Sequence, residues 1–579
     1  MRVFTVLLAL AALTPGAGSA APSASSAYWV RFADRGRLER APAATRRDAA
    51  RASVSAKSLE RRLRRGAGPE VFASDLPVEP RYVESLAARG FRVRVVSRWL
   101  NAASVEATPD EIATLASLPF VRSVEPVTRV RRMAPDVVVP GSERVGAEPA
   151  APSASASPGD PSFYGLSWAQ NRVVEVDSLH AMGLSGQGIL IALLDTGFRE
   201  THEVLDSLAV TARRDFIHAD TVVANEPSQD SAGQDSHGTN TLSILAANLP
   251  GRMVGPAYHA RYALAKTEEV TSESTVEMDW WQAAAEWADS LGADVISSSL
   301  GYSEFDNAAD SYTYADMDGR TTVVTLAAAE AARRGIVVVT AQGNEGNLPW
   351  HYLLAPADAE SVLAVGAMDS TGVVTGFSSY GPSADGRVKP DVCAMGQFVA
   401  LVSPGNDQNV NHGNGTSYST PEMAGLVALL LEAHPTWTPF EIIEAVRATA
   451  SRFDNPDAHA GFGIARGARA VAHTPSTVFA STPPGSAALV FAGPVPARRG
   501  TALTFWLRAG AVSGPVSVFV YDTRGRQVRS LFRGPVLAGS QRLVSWDGRD
   551  DAGAQAPAGV YFVSFDAPGV RLGRRVVLL

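Results

Sequence analysis

Four polar residues in the middle of a 579-residue chain have the types that nucleophilic chemistry needs: Asp195, His237, Asn344 and Ser417. A serine attacks only when a base takes its proton. Histidine can do so near neutral pH, a carboxylate can hold the resulting imidazolium, and a carboxamide can donate to a developing oxyanion. Each residue also has a plainer reading. Asp195 closes the apolar run "ILIALL" in "DTGF", which is an ordinary turn, and His237 in "DSHGTNTLSILAAN" would cap the helix that follows. Asn344 in "VVVTAQGNEGN" reads as a turn residue. Ser417 in "NGTSYSTPEMAG" stands where helices take an N-cap serine, with Pro421 suited to an early helical position.

The elements that must position these residues favour the chemical reading. From 161 to 475, the apolar strands "GILIALLD", "VISSSLG", "GIVVVTAQGN" and "SVLAVGAM" alternate with the helices "VEMDWWQAAAEWADSLG" and "TTVVTLAAAEAARRG". Strands apolar throughout, alternating with helices, predict an α/β fold with a doubly wound parallel sheet covered on both faces. Sites on such sheets lie beyond the carboxyl ends of the strands, where Asp195 and Asn344 fall. The order aspartate, histidine, serine along such a chain is one of the known arrangements for serine proteolysis.

The segments "DTG", "HGTN", "SLG", "AQGN" and "GTSYSTPEMAG" resemble the motifs "DTG", "HGTH", "SLG", "AAGN" and "GTSMATPHVAG" of the subtilisin-like serine protease family. The likeness continues through "GADVISSSLG", "APADAESVLAVGAMD", "FSSYGP" and "GRVKPDV". It implies that Ser417 attacks the peptide carbonyl, His237 relays the proton, and Asp195 supports the imidazolium. Asn344 and the Ser417 N–H would form the oxyanion hole. The resemblance also assigns Ser298, Ser299, Leu300 and Gly301 to a strip that pairs with the substrate backbone. Ala341, Gln342 and Gly343 would flank the pocket for the residue before the cut. Three positions depart from the motifs: Asn240, Tyr418 and Glu422 stand where the family has histidine, methionine and histidine. None removes a proton-transfer group, but Tyr418 and Gln342 bear on the shape of the specificity pocket. No cofactor enters the chemistry; structural calcium is left open.

Two other protease readings fail on the residues. A pepsin-like enzyme needs a second Asp-Thr-Gly or Asp-Ser-Gly, which is missing. "HEVLD" at His202 has Asp206 where a zinc HExxH motif needs its second histidine, so His202 reads as structural.

The flanking sequence divides into modules. Residues 1–20 have the Arg2, apolar run and small-residue end of a secretory signal peptide. No later stretch reaches the apolar length of a membrane span, so the remainder is expected to be soluble and exported. Residues 21–133 alternate strand and helix patterns as a small α+β sandwich, which resembles an inhibitory propeptide of the same family. A Pro/Ala/Ser-rich linker is expected at 134–160, the catalytic domain at 161–475, a second linker at 476–490 and a β-sandwich at 491–579. Counting Lys and Arg against Asp and Glu, 21–146 carries +8, 147–484 carries −24 and 485–579 carries +7. Opposite charge favours docking of the first module on the acidic second one and disfavours nucleic acid as its partner; the acidity alone would equally serve solubility outside the cell. The one cysteine, Cys393, can form no internal disulfide and reads as a small core residue.

The last module resembles FlgD-like and type IX secretion sorting β-sandwiches through "VYDTRGRQVRSL", "VSWDGRDDAGAQAPAGVYFV" and "RRVVLL". Sorting, contact with secretion machinery, surface attachment and substrate binding all stay open for it. The whole reads as a secreted serine endopeptidase made as a zymogen and acting on protein or peptide substrates. The rival is a catalytically silent exported binding protein on the same fold.

Overall fold

The computed structural model describes residues 26–65, 70–127, 136–139, 157–271, 276–303, 312–402, 404–474, 488–491, 503–508, 514–536, 541–567 and 570–578. The signal peptide expected at 1–20 and most of both linkers lie outside the described residues.

The first module runs, in chain order, β1 (Ser26–Phe32), α1 (Ala43–Ala52), α2 (Ala56–Arg65), α3 (Pro80–Ala87), β2 (Arg92–Ser97), β3 (Ala102–Ala107), α4 (Pro109–Ala116) and β4 (Val121–Pro126). Its strands form an antiparallel sheet in the order β2-β3-β1-β4. Helix α4 starts at Pro109, where the Thr108 N–H and hydroxyl both donate to the Glu111 carboxylate, at 2.8 and 2.9 Å. One sheet face buries Val30, Phe32 and Val105 against Leu115 of α4 inside the module. The other presents Trp29, Val95 and Ala102 to Trp280 of the next module. Helix α2, "AKSLERRLRR", inverts the usual amphipathic rule, because Arg61, Arg62 and Arg65 are buried while Leu63 is exposed.

A short strand, β5 (Val137–Val139), follows from the stretch expected as linker. The middle module then contains α5 (Pro161–Tyr164), α6 (Trp168–Val173), α7 (Val176–Ala181), β6 (Leu190–Asp195), β7 (Ala209–Asp215), α8 (Ser236–Ala246), the two-residue strands β8 (Asn248–Leu249) and β9 (Met253–Val254), and β10 (Arg261–Lys266). It continues with α9 (Val276–Leu291), β11 (Val295–Ser298), α10 (Val323–Arg333), β12 (Val337–Ala341), β13 (Val362–Met368), β14 (Val392–Met395), β15 (Val399–Val402), β16 (Val410–Asn414), α11 (Thr416–Ala433), α12 (Pro439–Thr449) and α13 (Gly467–Val471).

Seven strands form one parallel sheet in the order β14-β13-β12-β11-β6-β10-β7. β6 shows why it is covered on both faces. Ile191 and Leu193 pack with Leu242 of α8 and Met423 of α11, whereas Leu190, Ala192 and Leu194 pack with Trp281 of α9 and Ala328 of α10. This is the doubly wound α/β architecture expected from the alternation of apolar strands and helices.

Cys393 is buried in β14, and burial pushes its thiol up to about 12, which leaves it unreactive. No described helix is long and apolar enough to cross a membrane.

The last module has strands β17 (Ala488–Phe491), β18 (Leu503–Arg508), β19 (Gly514–Asp522), β20 (Gln527–Val536), β21 (Gln541–Trp546), β22 (Gly559–Ala567) and β23 (Val570–Leu578). They form sheets β17-β18-β21 and β20-β19-β22-β23. Val544 and Trp546 from the first sheet bury against Val518, Val563 and Phe565 from the second, as in a β-sandwich. In the "DGRDDAG" turn, the Asp550 carboxylate accepts the N–H groups of Ala552 and Ala554 at 3.0 and 2.8 Å, a turn-stabilising use of that acid.

Candidate active site

Asp195 is the last residue of β6 and His237 lies in the first turn of α8. The two elements can meet because position 238 is glycine. A β-carbon there would lie 2.1 Å from the Gly197 carbonyl oxygen, so any side chain would force α8 away from the turn after β6. With that approach open, His237 Nδ1 stands 2.6 Å from Asp195 Oδ1. The carboxylate, 2% exposed, is fixed by the Thr196 N–H at 2.7 Å on Oδ1 and the Thr241 hydroxyl at 3.1 Å on Oδ2. These two threonines belong to "DTG" and to the helix after "HGTN", so their positions were visible in the motifs although no role pointed to them.

Ser417 is the second residue of α11, a helix buried nearly all round that packs under β11, β12 and β13. Pro421 sits at the sixth helical position rather than an early one. It therefore lacks the N–H that would have bonded the Ser417 carbonyl four residues back. Ser299, just past β11, supplies the replacement: its hydroxyl donates to Ser417 O at 2.9 Å, and Ser417 Oγ donates back to Ser299 O at 3.3 Å. The proline thus ties the start of α11 to the strip Ser298–Gly301 instead of beginning the helix.

Asn344 follows β12. Its carboxamide is oriented by Thr416, whose backbone N–H and hydroxyl both donate to Asn344 Oδ1, at 2.8 and 2.9 Å. That leaves the Nδ2 group directed at the space beside Ser417 and His237. Thr416 is the residue before the serine in "GTS", and its anchoring of the carboxamide is a function the motif carries without announcing it.

That space is occupied by the chain itself. Strand β5 pairs antiparallel with β16, Val137 opposite Asn414 and Val139 opposite His412, and delivers Asp136 into the site. Asp136 Oδ2 lies 2.8 Å from His237 Nε2, and Asp136 Oδ1 accepts from Asn344 Nδ2 at 2.7 Å. Burial alone would lower the pKa of His237. The carboxylates of Asp195 and Asp136 outweigh it and push the imidazole up to about 10. Nothing in the Pro-flanked "APDVVVP" distinguishes this aspartate in the sequence.

The structure thus brings Asp195, His237, Asn344, Ser417 and the Ser298–Gly301 strip to one place. Tyr418 and Gln342, the residues that bear on the shape of the specificity pocket, are both buried. Tyr418 is 1% exposed and packs into the apolar cluster of Ile244, Met395, Val399 and Leu401, with its ring centroid 6.3 Å from that of His237. Gln342 is fully buried, with its backbone N–H bonded to Val365 O at 2.9 Å. Ala341 and Gly343 both adjoin the Leu354 side chain. His202 is structural, accepting the Val204 N–H on Nδ1 at 3.3 Å and meeting Asn409 O through Nε2 at 3.0 Å.

Asp215, His218 and Asp230 are the one cluster of described residues with the spacing of metal ligands, and Lys266 Nζ is bonded to both carboxylates, at 2.8 and 2.5 Å.

Comparison with known proteins matches residues 186–463 to the subtilase family, 27–137 to the peptidase S8 propeptide domain of Bacteroidota, and 498–568 to the FlgD Ig-like domain. The chain is 30% identical over 289 residues to a subtilisin from Bacillus pumilus, covering 50% of this chain and 91% of that one. It is 29% identical to subtilisin E from Bacillus subtilis, covering 50% of this chain and 67% of the relative. Among solved structures it is similar to fervidolysin from Fervidobacterium pennivorans, with a TM-score of 0.55, 21% identity and coverage of 95% and 72% of the two chains, which bears on fold alone.

Proposed function

Because this chain belongs to the subtilase family of serine endopeptidases, we propose that Ser417 is its nucleophile, His237 its general base and acid, and Asp195 the carboxylate that orients and stabilises the imidazolium. Attack by Ser417 Oγ on the peptide carbonyl forms a tetrahedral oxyanion. Asn344 Nδ2 and the Ser417 N–H, at the positive end of α11, would donate to it. Collapse expels the amine, protonated by His237, and water then hydrolyses the acyl-enzyme. The observation that carries this reading is the 2.6 Å contact of His237 with Asp195, in the same site as Ser417 and an Asn344 carboxamide locked by Thr416.

The first module is the propeptide domain, and we assign it the role of intramolecular inhibitor. Its support is the Asp136 carboxylate, which engages both His237 Nε2 and Asn344 Nδ2. An imidazole with a carboxylate on each nitrogen stays protonated at neutral pH and has no lone pair to take the serine's proton. Cleavage in the 134–160 linker would free the nitrogen. Secretion is supported by residues 1–20, and attachment or sorting by the FlgD-like last module. The catalysis draws on no cofactor, and structural calcium has no assigned position.

The test is mass spectrometry of protein expressed from the wild-type and Ser417→Ala genes. Wild type is expected to be cut between 134 and 160, and Ser417→Ala to remain whole. Equal processing of both would refute self-cleavage.

A further inference from the structure

The two strips that bound the proposed pocket for the residue before the cut, Ser298–Gly301 and Ala341–Gly343, do not face open space. A β-carbon placed on Gly301 would lie 2.8 Å from Leu354 Cδ1 and 2.9 Å from its Cβ. One placed on Gly343 would lie 2.8 Å from Leu354 Cγ, 3.0 Å from the same Cδ1 and 2.7 Å from Ser379 Oγ. One leucine side chain therefore fills the room between both glycines.

Leu354 could be taken for an ordinary core residue, since it has no exposed surface. Its neighbours argue otherwise. Leu353 and Ala355 point into the large cluster beneath α9 and α10, whereas Leu354 points the opposite way, into a small separate cluster with Ala341 and Trp350. Its backbone is stitched to the second strip and to Tyr302, the residue just after the first. The Leu354 N–H donates to Gln342 O at 3.1 Å, and Ala355 and Tyr302 exchange N–H to carbonyl bonds at 3.0 and 2.9 Å. Leu353 adds a bond to Tyr380 O at 3.0 Å. These bonds fix the direction of the Leu354 Cα–Cβ bond, and packing against Ala341 and Trp350 restrains rotation of the buried side chain about it.

We propose that Leu354 closes the pocket for the side chain preceding the scissile bond, so that this protease cuts after glycine, alanine and serine. The proposal rests on the active-site reading above and names its substrate class. A methyl group fits against the leucine; a longer side chain needs the volume it fills. The linker that the enzyme is proposed to cut, 134–160, contains such small residues: from 146 on it is mostly Ala, Ser, Gly and Pro, whereas its first part holds Val137, Val138, Val139 and Val145.

The test uses protein purified from expression of the full chain and peptide amides that differ only in the residue before the cut, Gly, Ala, Ser, Leu or Phe. Misfits of single groups in such pockets change kcat/KM about 10–200-fold, so alanine is expected to exceed phenylalanine by about 30-fold or more. Leu354→Gly is expected to raise the phenylalanine rate about 10-fold or more while changing the alanine rate less than about 3-fold. Should that variant fail to fold, Leu354→Val is expected to move the ratio in the same direction by less. Wild type that prefers phenylalanine or leucine, or that cuts none of the small-residue peptides, would overturn the proposal, as would an unchanged ratio in a folded variant. Ser417→Ala separates the two claims. If it still cleaves the series, the active-site reading fails. If it is silent while wild type prefers phenylalanine, the site stands and only the role of Leu354 falls.

Discussion

Asp195 and Asp289 are both buried carboxylates paired with cations, yet one lies at the proposed catalytic centre and the other at the seam between propeptide and catalytic domain. Asp289, near the end of α9, binds Arg61 and, at 2.6 Å, Arg62 of α2. Arg62 also holds Asp75 at 2.7 Å, and Arg334 of the catalytic domain reaches across to the same Asp75 at 2.8 Å. Arg65 joins Asp294 at 3.0 Å. Burial would raise the pKa of Asp289, but Arg61, Arg334 and Arg62 hold it below the ordinary carboxylate value. Guanidinium does not release its proton in proteins, so this cluster can only hold. Asp195 instead faces an imidazole, which can gain and lose a proton. The same pairing gives adhesion where the partner's charge is fixed and proton transfer where it titrates.

Removing the proposed nucleophile should show the catalytic side of this contrast most strongly. Ser417→Ala is expected to lower kcat about 10⁶-fold, the magnitude established for subtilisin, read on a peptide amide. Asp195→Asn should cost about 10⁴-fold with the fold intact, because an amide cannot support the imidazolium. Asn344→Ala should cost about 10²–10³-fold in kcat, again by analogy with subtilisin, with KM little changed.

On the holding side, Asp289→Asn leaves two buried guanidiniums short of a counter-charge. Breaking such a pair costs about 3–5 kcal/mol, expected as a lower yield of processed protease and weaker inhibition by added propeptide domain, with kcat unchanged. Loss of kcat in that variant would break the distinction between the two clusters.

The smallest effect concerns Glu422, a buried carboxyl in α11 whose two oxygens have no hydrogen-bond partner among the described residues. Burial pushes it up to about 8 from 4.5. Between those values the folded chain keeps a proton that the unfolded chain releases. This group's contribution to stability is therefore full below 4.5, declines as pH rises and is lost above about 8. Glu422→Gln should flatten that slope, raising Tm on the alkaline side by about 2–4 °C for each kcal/mol recovered and leaving it unchanged in acid.

The parallel sheet and the four polar residues were legible because strand ends and motif order are local signals. Asp136 was not, since it lies in a Pro- and Ala-rich stretch with no periodicity, and its role depends on β5 pairing with β16. Arg61, Arg62 and Arg65 give α2 the pattern of a solvated helix; Asp289 and Asp294 of the next module, with Asp75 of their own, make their burial tolerable. Pro421 reads as an early helical proline, and Tyr418 as a residue bearing on the shape of the pocket. Their positions follow from where α11 begins and from the apolar cluster that takes up the tyrosine ring. Leu354 resembles any apolar core residue until Gly301 and Gly343 are seen on either side of it.

The most direct measurement is labelling of the processed protein with a serine-reactive fluorophosphonate, followed by mass spectrometry of its peptides. The expected result is one adduct, on Ser417, that is lost in His237→Ala. An unlabelled Ser417 in folded, processed protein, or an adduct on another serine that accompanies loss of peptide hydrolysis, would contradict the assignment of the active site.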